Sequence, residues 1–307
     1  MSTDILIIIN PNSGTSQSEE YFQSFINLYP LDNYDLIISK NSNNTNLIDI
    51  IDNYKTVLIV GGDGTIFSFV QQFFNKNITF GHIPSGSGNG LTKSLLFSKN
   101  ITFDKDLNVP YKNLNNALIN KSVNKIDTMN VKLINSDKII HSFLFISCGI
   151  FANLDLNTEW LRKLGDFRFT LGGIYQLLKY SIIGNSILGE LEYTDEEDNK
   201  IYESGQFVFF LASNMSHTSR TTFTSPESRP DDGYIYISYL LEPTRSWNLL
   251  QILLNLDNGE YINRLKYKKC KSFKFEPSNG IYDIDGERFD IEPIEVSINP
   301  RSLNFLY

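Results

Sequence analysis

Three short runs of small and polar residues have the composition of a phosphate cradle. They are Asn10-Pro11-Asn12-Ser13-Gly14, Gly61-Gly62-Asp63-Gly64-Thr65 and Pro84-Ser85-Gly86-Ser87-Gly88-Asn89. Glycine lets the backbone come close to an anion, and Asn, Ser and Thr add neutral donors. A lone aspartate, Asp63, stands in the middle run. Its small neighbours leave room for a substrate oxygen and a phosphoryl group to approach together. Phosphoryl transfer needs little more than positioning, a base for the acceptor hydroxyl, and donors or cations against the phosphate charge. No run fits G-x-x-x-x-G-K-[ST], and none is a clean G-x-G-x-x-G after the first strand. A P-loop and a dinucleotide fingerprint are therefore disfavoured.

The elements around these runs decide whether they can meet. Each follows an apolar stretch that reads as a buried strand: Ile5 to Ile9, Val57 to Val60, and Ile78 to Ile83. Another strand is predicted over Leu36 to Ser39, and helices over Ser16 to Leu28, Leu47 to Tyr54 and Ile66 to Phe74. Alternating strands and helices favour a parallel sheet with helices on both faces, whose strand carboxyl ends line one crevice. The second and third runs also precede helices, whose N-termini attract anions.

Beyond Lys125 the pattern changes. Strands are predicted over Met129 to Ile134, Ile139 to Ile146, Ile187 to Tyr193, Phe207 to Ala212, Tyr234 to Leu240, Phe273 to Phe275, Ile281 to Ile284 and Ile294 to Ile298. A mostly helical insertion lies between Phe145 and Tyr180, and a helix is predicted over Trp247 to Leu256. Strands in succession suggest an antiparallel sandwich. The expected fold is an α/β N-terminal domain, 1–124, with a parallel sheet and flanking helices. A C-terminal antiparallel β-sandwich domain with a helical insertion, 125–307, follows.

The trio of runs, "NPNSG", "GGDGT" and "PSGSGNGLTKS", resembles the catalytic domain shared by diacylglycerol, ceramide and sphingosine kinases, in the family's order and roughly its spacing. The resemblance covers Ile5 to about Glu287. It implies an NAD kinase/diacylglycerol kinase-like first domain and a lipid-binding second one. It also implies that Asp63 is the general base. The implied ATP site comprises Asn10, Asn12, Ser13, Gly14, Ser39, Gly61, Gly62, Gly64, Thr65, Ser85, Gly86, Ser87, Gly88 and Asn89.

A second block, Cys148 to Leu156 followed by Thr158 to Gly172, is similar to the one that marks sphingosine kinases within the family. Cys148 stands where that block has tryptophan, and Asn153 where it has its first aspartate. Matching positions makes Asp155 the acid that pairs with a sphingoid head group. A carboxylate suits a primary ammonium in a partly dry cleft. Phe151, Leu156 and Phe169 are expected to line the lipid site, though ordinary core packing serves each equally well. Arg162 and Arg168 match the two arginines that reach nucleotide phosphates. Near the C-terminus, Asp285-Gly286-Glu287 resembles the family's return to the nucleotide, with Asp285 as a ligand of ATP-bound Mg²⁺. Pro230 to Gly233 resembles another family turn.

The implied activity is transfer of the γ-phosphate of Mg-ATP to the primary hydroxyl of a sphingoid base. Diacylglycerol or ceramide kinase is the first alternative; NAD kinase and a non-catalytic nucleotide-binding module are further ones. Composition fits an enzyme that meets its lipid from the water side. With 35 acidic and 27 basic residues the net charge is −8, a poor basis for non-specific nucleic-acid binding. Met1 to Asp4 has no signal-peptide character, and Phe207 to Ala212 is far too short to span a bilayer. Two cysteines, Cys148 and Cys270, suggest a reducing compartment. The expectation is a cytoplasmic enzyme, peripheral at membranes and dimeric. His82, His141 and His217 share no metal-like spacing, and His82 reads as a satisfied core residue. No G-x-S-x-G elbow is present.

Overall fold

The computed structural model describes residues 4–14, 16–39, 45–156, 175, 180, 184 and 186–307, with the side chains of Thr45, Asn46 and Asp155 also outside the description. The chain divides into two compact units, one of Met1–Ile126 with Arg301–Tyr307, the other of Asp127–Pro300.

The first unit runs β1 (Ile5–Ile9), α1 (Ser18–Leu28), β2 (Asp35–Ile38), α2 (Thr45–Ile50), β3 (Thr56–Gly61), α3 (Asp63–Phe73), β4 (Thr79–Pro84), α4 (Gly90–Ser98) and α5 (Asn108–Ile119). Parallel pairing sets β2 beside β1, β1 beside β3 and β3 beside β4. The chain returns at its C-terminal end, where Asn304–Leu306 pairs in parallel with Thr79–Gly81. β1 and β3 are aliphatic on alternate residues of both faces, and both faces are covered. On one face Ile7, Ile9, Leu58, Val60 and Ile83 pack with Phe22 and Phe25 of α1 and Tyr111 and Leu114 of α5. The Tyr111 ring meets Phe25 edge-on at 5.4 Å and its hydroxyl donates to the Tyr21 carbonyl, so the two helices are tied by both apolar and polar contact.

The second unit begins within β5 (Val123–Leu133) and continues with β6 (Lys138–Ser142), β7 (Phe145–Gly149), α6 (Ile150–Leu156), β8 (Ile187–Thr194), β9 (Lys200–Ser213), β10 (His217–Ser219), β11 (Thr222–Phe223), β12 (Ile235–Leu241), α7 (Ser246–Leu254), β13 (Lys266–Cys270), β14 (Ser272–Pro277), β15 (Ile281–Ile284), β16 (Glu287–Asp290) and β17 (Ile294–Leu306). The pairings given for β6 to β9 and β12 to β16 are antiparallel. β9 is the organising strand. Its first half alternates exposed and half-buried residues against β8, while Phe207 to Ser213 is wholly buried between β7 and β12. Phe207, Phe210, Phe273 and Phe275 stack there with centroids 4.4–5.2 Å apart.

The α/β unit and the antiparallel strand-rich unit are the fold read from the sequence. Three local expectations change. Ile139 to Ile146 is two strands rather than one, because the backbone turns at Phe143 and Leu144 to bind a buried carboxylate, described below. The stretch read as mostly helical from Phe145 opens with strand β7. Asn108–Ile119, rich in asparagine and carrying Pro110, is helical although no element was predicted there. Most of the insertion between residues 157 and 185 lies outside the described residues.

Candidate active site

The three glycine-rich turns stand at the carboxyl ends of β1, β3 and β4 and touch one another. A Cβ on Gly14 would lie 2.2 Å from the Ser85 carbonyl oxygen, and one on Gly86 would lie 2.5 Å from the Gly62 Cα. No side chain fits at either position while the turns stay in place. Gly14 also holds a φ of +59°, which favours glycine. Side chains add further ties. Asn10 Nδ2 donates to Thr65 Oγ1 at 3.0 Å, joining the first turn to the second. Ser18 Oγ and Ser85 Oγ lie 2.8 Å apart, joining α1 to the third turn. Asn10 Oδ1 also accepts the Asn12 amide at 3.0 Å, which shapes the first turn.

Asp63 is the first residue of α3 and lies half-buried. Its two carboxylate oxygens accept the amides of Gly90 (2.8 Å) and Leu91 (3.2 Å), the opening residues of α4. Those are orphan helix N–H groups of the kind that attract a carboxylate. Asn89 stands at the N-cap of α4 with a φ of +50°, but its side chain bonds Gly86 at both ends and closes the third turn instead. An aspartate 27 residues upstream thus caps the helix that the third turn leads into. The cap orients the carboxylate where the three turns meet.

His82 fixes the same neighbourhood from below. It is buried, with Nε2 2.9 Å from the Gly61 carbonyl and Nδ1 2.6 Å from Thr92 Oγ1. Burial pushes its pKa down to about 4, so the ring is neutral near pH 7. It is the satisfied core histidine expected from the sequence, and it joins the end of β3 to α4. Ser13, Thr65, Ser85 and Asn89 are buried, Gly62, Gly64 and Gly86 to Gly88 are half-buried, and Asn12 is exposed. Ser39 is buried and continues the β1–β2 pairing through its amide to the Ile9 carbonyl at 3.0 Å.

The second-unit candidates behave differently. Asp285 was expected to face Mg²⁺ but is buried and engaged. Its oxygens accept Ser142 Oγ at 2.8 Å and the amides of Phe143, Leu144 and Phe145 at 2.9, 3.0 and 2.8 Å. Burial pushes its pKa up to about 7, against the pull of these four donors. This carboxylate organises the β6–β7 turn and does not fit a metal ligand. Among the described residues no cluster of three His, Cys, Asp or Glu side chains could hold a metal ion. Gly286 and Glu287 complete the turn in exposed positions.

Phe151 is half-buried on α6, edge-on to Phe209 at 4.5 Å, and Leu156 is half-buried at the end of the same helix. Asp155 belongs to that helix, but its side chain lies outside the description. Arg162, Arg168 and Phe169 fall outside the described residues. Cys148, where the similar block has tryptophan, is buried, and its thiol is pushed up to about 12. It is inert at neutral pH.

Sequence reasoning missed Ser18 and the capping role of Asp63. Both depend on pairs far apart in the chain, and neither leaves a local pattern.

Residues 4–131 match the diacylglycerol kinase catalytic domain family, a span that contains all three turns. Sphingosine kinase 1 of Rattus norvegicus is 22% identical over 97% of this chain and 89% of its own length. Sphingoid long chain base kinase 4 of Schizosaccharomyces pombe is 24% identical over 98% of this chain and 74% of its own. The crystal structure of a diacylglycerol kinase from Bacillus anthracis, at 17% identity, covers 99% of this chain and 96% of that one with a TM-score of 0.69. That likeness establishes the fold. The catalytic-domain match runs through the three turns and the likeness to named sphingoid kinases is near full-length, so the chain is similar to the lipid kinases of the diacylglycerol kinase catalytic-domain family.

Proposed function

We propose that the chain phosphorylates the primary hydroxyl of a sphingoid base, producing a sphingoid base 1-phosphate and ADP. The observation that carries the mechanism is the Asp63 carboxylate, held by two α4 amides where three glycine-rich turns meet. The turns receive the phosphates of ATP on backbone amides and on Asn and Ser side chains. The lipid hydroxyl oxygen forms its bond to the γ-phosphorus as the bond to the β–γ bridging oxygen breaks. The hydroxyl proton passes to Asp63, and the electron pair of the broken bond leaves on ADP. An oriented carboxylate suits a loose transition state, in which positioning of the hydroxyl matters most. Mg²⁺ enters on the phosphates as part of the substrate, and Asp285 takes no part in holding it.

Arg162 and Arg168 are assigned to the phosphate charge and Asp155 to the ammonium of the lipid. The named sphingosine and sphingoid long chain base kinases among the relatives support that choice of lipid. The enzyme meets its substrate at a membrane surface from the cytoplasm. Diacylglycerol is the second reading, supported by the family match. The test is transfer of labelled γ-phosphate to sphingosine, phytosphingosine, diacylglycerol, ceramide and NAD in parallel. Preference for a sphingoid base, abolished by Asp155→Ala, supports the proposal. Preference for any of the other three overturns the substrate, and label on none of the five overturns the reading altogether.

A further inference from the structure

Helix α7 contains no charged residue in its sequence Ser-Trp-Asn-Leu-Leu-Gln-Ile-Leu-Leu. Its buried side is Leu249 and Ile252, so the helix already has a core face. The opposite side is apolar as well. Trp247 is 67% exposed and Leu254 is 64% exposed, with half-buried Leu250 between them at positions i, i+3 and i+7. An ordinary surface helix turns charged or polar residues outward. This one turns outward a tryptophan and two leucines.

Charged residues flank it along the chain. Arg245 immediately precedes the helix and is exposed. A cation there opposes the helix dipole and does nothing for the helix itself. The 3-10 turn Glu260–Arg264 packs against α7 and leads into β13. Arg264 ends that turn, and Lys266 and Lys268 follow on alternate residues of β13, hence on one side of the strand; all three are exposed. Lys266 reaches Glu203 at 3.4 Å. Exposed Asp257 and Glu260 supply the local acid. With Glu203 these make three acids against the four cations Arg245, Arg264, Lys266 and Lys268, in a chain of net charge −8.

We propose that the outer face of α7 is a docking surface for an anionic membrane. Trp247, Leu250 and Leu254 enter the headgroup–acyl boundary, and Arg245, Arg264 and Lys268 contact lipid phosphates and carboxylates. Tryptophan favours that boundary because its ring is amphipathic, and basic residues add attraction that salt weakens. A second copy of the chain is a poorer occupant, since a two-fold contact through this face would bring the same cations together. Among the described residues no helix is long and apolar enough to cross a membrane, so contact here is contact with a surface. The choice of a membrane over other anionic partners rests on the lipid substrate proposed above. Vesicle binding is read without turnover, so the two ideas fail separately.

The test is flotation of the full chain with phosphatidylcholine vesicles, with and without phosphatidylserine. The expected result is binding to the anionic vesicles that falls with added salt. Trp247→Ser with Leu254→Ser should weaken it about tenfold or more, and Arg264→Glu with Lys268→Glu by several-fold. Both variants should keep the wild-type circular dichroism and urea-unfolding midpoint, which shows that they fold. A wild-type chain that ignores anionic vesicles, or a folded double serine variant that binds them unchanged, overturns the proposal. So does a serine variant that changes only the oligomeric state in size-exclusion chromatography, because the face is then a contact between copies.

Discussion

Asp63 and Asp285 are two aspartates beside glycine, each following a strand, and the two units use them in opposite ways. Asp63 sits half-buried, with the Gly90 amide on one oxygen and the Leu91 amide on the other. Asp285 is buried with four donors around its two oxygens. Both carboxylates are held by backbone. Only the first is half-exposed, where three turns meet. The lesson is that a short D-G motif reports a turn, and the burial of its carboxylate decides whether a substrate can reach it.

The sharpest way to break the comparison is exchange of each acid for a neutral residue. Asp63→Asn keeps one cap acceptor and removes the proton acceptor. It should lower kcat about a thousandfold while costing no more than about 1–2 kcal/mol in urea unfolding. Full turnover in Asp63→Asn would end the idea that the first carboxylate is chemical. Asp285→Ala should do the reverse. It strands four buried donors and should cost about 3 kcal/mol or more of stability. Turnover per folded molecule should fall far less than in Asp63→Asn, as judged by active-site titration alongside calorimetry.

A milder contrast comes from two glycines. Gly86→Ala places a methyl against the Gly62 backbone, so the second and third turns must separate. It should raise the KM for ATP and cost about 1–3 kcal/mol. Gly286→Ala meets no atom within 4 Å and bears only its φ of +88°, a strain of about 1–2 kcal/mol. The KM for ATP should stay put. Equal effects on KM would mean that the contact between turns is incidental.

The smallest effect concerns pH. His82 has its pKa lowered by burial from 6.5 to about 4. The unfolded chain binds that proton first, so the stability this residue contributes is present above about pH 6.5 and lost as pH falls toward 4. Asp285 has its pKa raised by burial from 3.8 to about 7. Its contribution is present below about pH 4 and lost as pH rises toward 7. Each slope is at most about 1.4 kcal/mol per pH unit, and the two oppose each other. The wild type should therefore show a shallow profile between pH 4 and 7. His82→Gln should expose the falling limb and Asp285→Asn the rising one, as read by urea unfolding across that range. Parallel profiles in all three proteins would show that neither group titrates on folding.

Much of the first unit was legible because its signals are local. Aliphatic runs ending in glycine-rich turns mark strands β1, β3 and β4 and place the turns at one end of a parallel sheet. What joins the turns was not legible. The Ser18–Ser85 contact spans 67 residues and the Asp63–Gly90 bond spans 27, and neither has a periodicity to read. In the second unit, the apolar run Ile139 to Ile146 reads as one strand. Only the long-range demand of Asp285 for the amides of Phe143 to Phe145 divides it. β13, Lys-Tyr-Lys-Lys-Cys, escaped notice because an edge strand paired on one side, with β12, can afford lysines. The outward face of α7 was visible as apolar residues but not as exposed ones, since sequence cannot tell which of two apolar sides is covered.

The pairing of Asn304–Leu306 with Thr79–Gly81 has a consequence for biosynthesis. The ribosome makes the nucleotide-side strands first, yet the sheet they form lacks its neighbour to β4 until more than two hundred further residues have emerged. During that interval β4 presents an open parallel edge, and the strand-rich unit must be translated before the gap closes. The nascent first unit is thus kept waiting in a state vulnerable to mispairing until Asn304–Leu306 emerges.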